Sequence, residues 1–375
     1  MRFTFFASIA ACVSVVAAYA TFDNVAVFTP PSNYLIPRVL YSRAVELPSG
    51  DLLATWENYS PEPPLVYFPI FKSSDHGATW KHISNVTDQV NGWGLRYQPD
   101  LFVLPRKIGK FPKGTILVAG NSIPTNLAKT QIDVYASTDN GLTWKFVSHV
   151  AAGGEAVPDN GLTPVWEPFF LLKGKKLIIY YSDQRDPAHG QKLDHQLTHD
   201  LVHWQSPVDD VSYYEYTARP GMPTVALLPN GKYIYAYEYG GAPVSTSYTF
   251  PVFYKISKDP TKFNKTEGVQ LISKDGAKPT SSPVLTWSPT GGKNGTIIVS
   301  ANSHNDVFIN QALGDPTAWV RVPTNANRAY TRGLTVFKKE PENLLIIGAG
   351  VLNGASNFVS ATVINITESI AAALA

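Results

Sequence analysis

Two glutamates stand in stretches that are otherwise apolar and aromatic: Glu167 in PVWEPFF and Glu238 in YAYEYGG. Burying a carboxyl group in such surroundings costs several kcal/mol unless the group is paired or has a chemical task. Two carboxyl groups in one cleft can hydrolyse a glycosidic bond, because one protonates the leaving oxygen while the other attacks the anomeric carbon or directs water to it. The alternative is structural, with each glutamate paired to an arginine such as Arg43, Arg219 or Arg332. Spacing alone leaves both interpretations open.

The elements that must position these glutamates are visible as a repeat. The octet SSDHGATW at 73–80 returns as STDNGLTW at 137–144, and weaker versions follow as THDLVHW, SKDPTKF and LGDPTAW. Their aspartates lie 64, 61, 59 and 56 residues apart, at Asp75, Asp139, Asp200, Asp259 and Asp315. Such regular spacing indicates a repeat architecture.

Each repeat has the pattern of a four-stranded unit. Two apolar runs joined by a polar turn with Gly, Pro or Asn predict a β-hairpin, a third run leads into the aspartate turn, and a fourth follows it. Six hairpins are expected, near 39–57, 97–121, 165–182, 221–239, 281–302 and 331–350. The sequence therefore predicts an all-β, six-bladed β-propeller of four-stranded blades.

Only five hairpins are followed by an aspartate turn, so we expect the N-terminal strand near 22–28 to close the ring as the outer strand of the last blade. No amphipathic helix of useful length is expected anywhere in the chain.

The aspartate turn itself is expected to be structural. The Asp carboxylate can accept backbone N–H groups, the Gly can take a positive φ, and the Trp can pack between neighbouring blades. A calcium-binding or catalytic loop is the alternative, and it is disfavoured because three copies lose the Gly and keep the aromatic residue. The repeat predicts the fold and leaves the activity open.

In a four-stranded blade, the inner strand begins and the second strand ends at the same face of the ring. Glu167 falls where the inner strand of the third blade begins, and Glu238 where the second strand of the fourth blade ends. Glu57 and Asp183 are acidic residues at the ends of second strands in the first and third blades. We therefore expect the acidic side chains to meet in the mouth of the ring, where function concentrates in such folds.

Polar and aromatic residues at comparable blade positions are candidates for sugar binding. They are Arg43, Trp93, Gln98, Asn121, Trp166, Asp183, Asn302, His304, Tyr330 and Arg332. Trp93 could stack on a sugar ring, and the amides, Asp183 and His304 could bond its hydroxyls. No metal site and no cofactor are expected, because His304 has no partner at ligand spacing and no phosphate-binding glycine loop occurs.

Residues 1–20 have the features of a secretory signal peptide: Arg2, an apolar run, and the small-x-small site at 18–20. We expect a secreted, extracellular, monomeric protein in which 21–375 form a single catalytic domain. Cleavage would remove Cys12, the only cysteine. Five N-x-Ser/Thr sequons fit a glycoprotein: Asn58, Asn85, Asn264, Asn294 and Asn365. No basic run occurs, so neither nucleic acid nor a membrane is an expected partner.

Over most of the chain the sequence resembles the fungal exo-arabinanases of glycoside hydrolase family 93. The stretches that carry this resemblance are YSRAVELPSGDLLATWEN, NGWGLRYQPDLFVLP, PVWEPFFLL and ALLPNGKYIYAYEYGG. The repeated octet is similar to the Asp-box of sialidases and related propellers. The resemblance implies a six-bladed propeller that releases arabinobiose from the non-reducing ends of linear α-1,5-arabinan, a pectin side chain, with retention of configuration.

The resemblance also implies roles for the two glutamates. The WEP and YEYGG segments match the positions of the family's acid/base and nucleophile, so Glu167 is expected to be the acid/base and Glu238 the nucleophile. Retention requires the two carboxyl groups to lie about 5–5.5 Å apart. Glu167 must stay protonated near the working pH, so we expect its apolar neighbours to raise its pKa.

Two other functions remain open. A sialidase would share the Asp-boxes and the ring, and Arg43, Arg219 and Arg332 at three inner-strand starts approach its carboxylate-binding arginine triad. The Phe/Tyr-Arg-Ile-Pro opening of sialidases is missing, however, since Leu35 stands where Arg is needed. A six-bladed lectin would bind sugar without a carboxylate pair, but its blades would be short and nearly identical, whereas these are long and unequal.

Overall fold

In a computed structural model that describes residues 19–374, the chain forms a ring of six antiparallel sheets, each of four strands. The predicted six-bladed β-propeller is confirmed, and each of the six expected hairpins forms the two inner strands of one blade. Continuous burial explains the arrangement, because the second strands are buried on both faces between neighbouring blades. The predicted leader at 1–20 falls almost entirely outside the described residues.

Each blade runs from an inner strand beside the ring axis to an outer strand at the periphery. The N-terminal strand β1 is Phe22–Phe28. Blade 1 is β2 (Val39–Glu46), β3 (Leu52–Asn58), β4 (Phe68–Ser73) and β5 (Lys81–Val86). Blade 2 is β6 (Leu95–Val103), β7 (Ile116–Ser122), β8 (Thr130–Ser137) and β9 (Lys145–Gly153). Blade 3 is β10 (Val165–Lys173), β11 (Lys176–Asp183), β12 (Lys192–Thr198) and β13 (Val208–Val211).

Blade 4 is β14 (Arg219–Leu227), β15 (Tyr233–Gly240), β16 (Val252–Ser257) and β17 (Val269–Gln270), with a 3-10 turn at Phe263–Lys265. Blade 5 is β18 (Val284–Ser288), β19 (Thr296–Ser300), β20 (Val307–Asn310) and β21 (Val320–Val322). Blade 6 is β22 (Arg332–Val336), β23 (Asn343–Gly348), β24 (Val359–Asn365) and then β1.

The N-terminal strand closes the ring, as the missing sixth aspartate turn predicts. Strand β1 pairs antiparallel with β24, with Phe22 opposite Val363 and Phe28 opposite Val359. Phe28 stacks on Trp56 of blade 1, with ring centroids 5.4 Å apart. The two ends of the chain therefore share one sheet, and that sheet packs on the first blade.

The aspartate turns join the third and fourth strands of their blades, on the face opposite the inner-strand starts. In the second copy Asp139 accepts hydrogen bonds from Ser137 Oγ at 2.7 Å and from the Thr143 N–H at 2.9 Å. Gly141 has φ +86°. Trp144 is buried and donates from Nε1 to Ser84 Oγ of blade 1 at 3.1 Å. These contacts confirm the structural interpretation of the turn.

The expectation that the chain lacks a useful helix is wrong at the C-terminus. Helix α1, Ile366–Leu374, follows β24 directly, and Asn365 Oδ1 accepts the Glu368 N–H at its start. Ile366 and Ile370 pack on apolar residues of blades 5 and 6. The helix covers the outer edge of that blade interface. Within residues 19–374, no helix has the length and apolarity needed to cross a membrane.

Candidate active site

All six blades contribute to one cavity of about 890 Å³ at the face where inner strands begin and second strands end. Its wall combines carboxyl groups, aromatic rings and amides. The residues that form it are Leu40, Glu57, Tyr59, Tyr97, Gln98, Ala156, Pro158, Asp159, Asn160, Trp166, Glu167, Gln191, Thr217, Arg219, Glu238, Tyr248, Phe250, Ser281, Tyr330 and Leu352. Because every blade takes part, the cavity lies on the axis of the ring.

Glu167 and Glu238 meet in this cavity although 71 positions separate them in the chain. Gly221 lies between them at the start of the fourth inner strand. A methyl group at Gly221 would lie 3.2 Å from Glu238 Oε1 and 3.4 Å from Glu167 Oε2. These two oxygens therefore face a common point and cannot be farther apart than the sum of those distances.

A β-bulge at the start of the inner strand holds Glu167 in place. Its φ is +61°, and the strand register shifts between Trp166 and Phe169. Its Oε2 accepts hydrogen bonds from Ser182 Oγ at 2.6 Å and from the Met222 N–H at 2.7 Å. Two donors on one oxygen fix the orientation of the carboxyl group.

The same bulge recurs around the ring and links neighbouring blades. Its left-handed residue is Gln98, Glu167, Met222 or Ser282 in blades 2 to 5. In each case a side chain of the preceding blade accepts the bulge N–H. Glu57 accepts from Gln98, Gln98 from Glu167, Glu167 from Met222, and Glu238 from Ser282. The two candidate catalytic carboxyl groups thus satisfy buried backbone donors as well as facing the cavity.

The pKa of both glutamates is raised, as expected from burial. Burial raises the pKa of Glu238 to about 8, and the nearby charge of Glu167 adds to the effect. Burial also raises the pKa of Glu167, against the opposing effect of the Ser182 and Met222 hydrogen bonds and the charge of Arg219. A raised pKa for Glu167 is in the direction that the acid role implied by the resemblance requires.

A third carboxyl group, Glu57, lines the cavity across the ring from Glu238. The two occupy equivalent positions, since Glu57 pairs with Leu40 and Glu238 with Gly221. Each partner comes one residue before a left-handed bulge residue, which is Tyr41 in blade 1 and Met222 in blade 4. Glu57 accepts the Gln98 N–H at 2.9 Å and the Tyr59 hydroxyl at 2.8 Å. The sequence placed Glu57 at a strand end facing the mouth of the ring, and the structure confirms that position, but no catalytic or sugar-binding role was predicted for it.

Three of the predicted sugar-binding residues line the cavity: Gln98, Trp166 and Tyr330. Trp166 donates from Nε1 to Gln184 Oε1 at 2.8 Å, so its indole ring is held against the cavity wall. Asn121 lies directly behind the wall, where it is buried and donates to Gln98 Oε1 at 2.9 Å.

The two predicted arginines do not reach the cavity wall. Arg43 lies over the ring of Tyr41, 4.1 Å from its centroid. Arg332 is buried and donates to the main-chain carbonyl of Asp306 at 2.7 Å. Arg219 alone of the three inner-strand arginines lines the cavity, so the structure does not bring an arginine triad together there.

Asp183 and Trp93 also lie away from the cavity wall. Asp183 is held by Arg185, whose Nε donates to Oδ1 at 2.9 Å. Trp93 is half-buried, and its backbone N–H donates to Asp88 at 2.7 Å while Lys129 approaches its ring at 5.9 Å. The Asp183 carboxylate and the Trp93 main-chain N–H therefore both have local hydrogen-bond partners.

Asn302 and His304 follow the second strand of blade 5, close to the wall but outside it. The Asn302 N–H donates to the carbonyl of Ser281, a wall residue, at 2.9 Å. His304 Nδ1 lies 2.7 Å from Ser303 Oγ, and burial lowers its pKa. Within residues 19–374, no group of three or more His, Cys, Asp or Glu side chains is arranged to hold a metal ion.

Several wall residues come from loops that the repeat pattern does not register. Arg219 is fixed by Asn160 Oδ1 at 2.7 Å and Gln191 Oε1 at 2.8 Å. Asn160 belongs to the loop before β10, and Tyr248 to the loop between β15 and β16. Since loops carry no periodic signal, only the assembled ring reveals these residues.

The chain is similar to solved fungal enzymes over nearly its whole length, while no protein-family model and no curated protein matches it. A GH93 α-L-arabinofuranosidase of Fusarium graminearum, in complex with arabinobiose, is 57% identical with a TM-score of 0.92. An α-L-arabinanase of Penicillium chrysogenum, also complexed with arabinobiose, is 54% identical with a TM-score of 0.92. Each match covers 93% of this chain and 99% of the other.

The NanB sialidase of Streptococcus pneumoniae shares the fold at 11% identity and a TM-score of 0.59, covering 95% of this chain and 72% of its own. That likeness concerns the propeller alone. The matches to the two fungal enzymes span nearly the whole chain and confirm the resemblance seen in the sequence. The chain belongs to glycoside hydrolase family 93.

Proposed function

We propose that this protein is an exo-acting α-1,5-L-arabinanase that releases arabinobiose from the non-reducing end of linear arabinan. The observation that carries the proposal is the meeting of Glu167 and Glu238 around one point of a cavity built by all six blades. The two fungal relatives described with arabinobiose support the choice of sugar.

We infer a retaining mechanism. In the first step Glu238 attacks the anomeric carbon and forms an ester with the arabinobiosyl unit, while the bond to the leaving oxygen breaks and that oxygen takes the proton of Glu167. In the second step Glu167 takes a proton from water, the water oxygen replaces Glu238 at the anomeric carbon, and arabinobiose leaves. The upper limit on that one oxygen pair is compatible with the separation of about 5–5.5 Å typical of the carboxyl groups of retaining enzymes.

Catalysis needs a proton on Glu167 and none on Glu238, and burial raises the pKa of both groups. A glycosidic oxygen next to Glu167 would accept a hydrogen bond from its protonated form and so stabilise that form. Because the two carboxyl groups face one point, a single proton can be held by either of them.

The activity is tested with linear α-1,5-arabinan, with products separated by size. Arabinobiose is the expected product, and Glu167→Gln or Glu238→Gln should lower kcat by about 10²–10⁴-fold, the usual contribution of such groups. Glu267→Gln, an exposed change in blade 4 outside the cavity wall, serves as the control. Release of sialic acid from a glycoconjugate would instead favour a sialidase, and arabinan binding without product would favour a lectin.

The two roles are separated by azide rescue on an aryl arabinobioside with a good leaving group. Glu167→Ala should still form the ester, so azide should give a glycosyl azide of retained configuration. Glu238→Ala should give the inverted azide, because azide then attacks in place of the carboxylate. Interchanged stereochemistry would reverse the assignment.

We also propose that the protein is secreted as a glycosylated monomer. The apolar run and small-x-small site at the N-terminus support secretion. Asn264 is exposed, whereas Asn58 is 3% exposed and unsuited to carry a glycan. N-terminal sequencing and glycopeptide mapping of protein from a fungal host should find the leader removed and Asn264 modified. Light scattering should give the mass of one chain, since one chain supplies the entire cavity wall.

A further inference from the structure

The loop between blades 3 and 4 carries three tyrosines within four positions, in the sequence YYEY at 213–216. The first of them anchors the loop. The Tyr213 ring stacks on Tyr239 with centroids 3.7 Å apart and planes 9° from parallel. Its hydroxyl lies 2.7 Å from that of Tyr237, and its carbonyl accepts a hydrogen bond from His189 Nδ1 at 2.8 Å. The loop is therefore held firmly at its base.

The other two tyrosines of this loop face outward. Tyr214 is 97% exposed and Tyr216 is 43% exposed. Single exposed apolar residues are common on protein surfaces and need no explanation. Two exposed rings on one anchored loop are different, because the loop spends little conformational entropy when it presents them to a ligand.

This loop is continuous with the cavity wall. The Tyr216 carbonyl accepts the Gly190 N–H at 3.0 Å, and its hydroxyl would lie 3.8 Å from a methyl group at Gly161. The next residue, Thr217, lines the cavity, and its carbonyl accepts the Tyr248 hydroxyl at 3.1 Å. Tyr216 therefore stands on the rim, directly outside the wall formed by the loops at 156–160 and 241–250.

Asn160 connects this part of the rim to the cavity wall. Its Nδ2 donates to the Tyr216 carbonyl at 3.4 Å, and its Oδ1 accepts a hydrogen bond of 2.7 Å from Arg219. If Glu167 protonates the leaving oxygen, the departing part of the substrate must extend past Glu167 and not into the floor of the cavity. The tyrosine loop joins blade 3, which carries Glu167, to blade 4, so it forms the part of the rim next to that exit.

We propose that Tyr214 and Tyr216 form an outer binding site for the polysaccharide beyond the bond that is cleaved. Its ligand is a run of furanose residues, whose C–H faces can stack on phenol rings while their hydroxyls meet the phenol oxygens and Glu215. This inference rests on the proposed function and adds the place where the leaving chain is held. It gives the enzyme a preference for long chains that the cavity alone does not provide.

The test compares long and short substrates with the variants Tyr214→Ala, Tyr216→Ala and the double variant. For linear arabinan, KM expressed per chain end should rise about fivefold in the double variant, as expected for the loss of aromatic stacking. With arabinotriose, which places one sugar beyond the cleaved bond, kcat/KM should stay within about twofold. Leu142→Ala removes an exposed apolar side chain on the opposite face and should change neither value.

Two results would overturn the proposal. One is an equal change, or none, on arabinan and arabinotriose. The other is a lower sedimentation coefficient for the double variant than for the wild-type chain, which would make the loop a contact between two copies. If the wild-type protein cleaves neither arabinan nor arabinotriose, the proposed function is wrong. The wild-type assay alone therefore distinguishes that failure from a failure of the outer binding site.

Discussion

At the scale of single residues, Gly221 sets the width of the gap between the two carboxyl groups. Gly221→Ala would place a methyl group 3.2–3.4 Å from both carboxylates and 3.1 Å from Gln191 Nε2, without a positive φ to strain the backbone. We expect kcat/KM to fall about 10–100-fold, because small displacements of catalytic groups are costly, while the fold persists.

The control for this prediction is Gly348→Ala, whose methyl would meet Ala329 at 3.1 Å in blade 6. It should affect stability to a similar degree and leave activity unchanged. Steady-state kinetics and thermal melts of both variants make the comparison. Unchanged kinetics for Gly221→Ala would show that substrate does not use the space between the carboxyl groups.

Glu57 should control the alkaline side of the pH profile. Burial raises its pKa to about 7, against the hydrogen bonds from Tyr59 and Gln98. As pH rises through 7, the wild type gains a negative charge in the cavity that opposes ionisation of its neighbours. Glu57→Gln lacks that charge at every pH, so kcat/KM at pH 5 should stay within about threefold while the alkaline limb, set by ionisation of the acid Glu167, moves to lower pH.

The pH profile of kcat/KM for Glu57→Gln checks this prediction. Glu57→Ala is the companion variant, since it leaves the Gln98 N–H without its acceptor and should lose activity at every pH. A profile for Glu57→Gln that overlays the wild type would mean that Glu57 does not titrate in this range.

Residue types indicated the site only where burying an ionisable side chain in an apolar segment is costly in free energy. Glu167 and Glu238 stood out because a buried carboxyl group needs a reason. The prediction that Arg332 binds sugar was wrong, because Arg332 donates to a main-chain carbonyl of the neighbouring blade. No local pattern records which backbone groups the fold will bring beside a side chain.

At the scale of elements, the inner strands carry a signal that the repeat pattern does not include. In four blades a proline follows the left-handed bulge residue: Pro99, Pro168, Pro223 and Pro283. Proline cannot donate to the strand ladder and is tolerated where a bulge interrupts it. Those prolines therefore mark the positions that face the ring axis, and Glu167 is one of them.

The aspartate turns should stabilise the fold without affecting catalysis. Asp139→Ala removes the acceptor of the Ser137 hydroxyl and of both the Thr143 N–H and its hydroxyl. We expect a loss of about 1–2 kcal/mol in the free energy of unfolding, as for other side-chain acceptors of backbone N–H groups. Denaturant unfolding measures it, and kcat/KM should stay within about twofold of wild type at a temperature where both are folded.

A matched variant separates geometry from hydrogen bonding in this turn. Gly141→Ala keeps every acceptor but meets Leu53 of blade 1 at 2.9 Å and strains a φ of +86°. It should also destabilise the protein. A large loss of activity in Asp139→Ala without loss of stability would indicate that the turn is a functional loop.

Helix α1 escaped prediction because it is short. Nine residues give little periodicity, and an isolated helix of that length is marginal in water. It forms because Ile366 and Ile370 are buried on blades 5 and 6. Tertiary contacts therefore supply the stability that the sequence of the helix alone does not provide.

At the scale of the whole molecule, the ring could be predicted because its closure leaves a trace in the repeat count. Five aspartate turns for six hairpins required a strand from elsewhere, and Phe22–Phe28 fills that place. The cavity could not be predicted in the same way. Its loops between blades, such as 156–160 and 213–217, are unequal in length and follow no repeat.

The buried charges should make the protein most stable in mildly acid solution. Burial raises the pKa of six carboxyl groups to values of about 6–8, and they are Glu57, Asp100, Asp133, Asp194, Asp210 and Glu238. A carboxyl group whose pKa is raised by folding stabilises the native state below its unfolded pKa, near 4, and that contribution is lost as pH rises through the folded value.

Turn aspartates act in the opposite direction. A hydrogen bond from His203 lowers the pKa of Asp200, and Lys173, against the effect of burial, lowers that of Asp259 to about 2. Their contribution is present above about pH 4 and is lost as pH falls further.

Melting temperatures measured from pH 3 to 9 should therefore peak between about 4 and 6. Asp194→Asn removes one of the raised groups, whose oxygens have no hydrogen-bond partner within residues 19–374, and should flatten the decline toward pH 8. A maximum at neutral pH or above would show that the interior carboxyl groups are ionised in the native state.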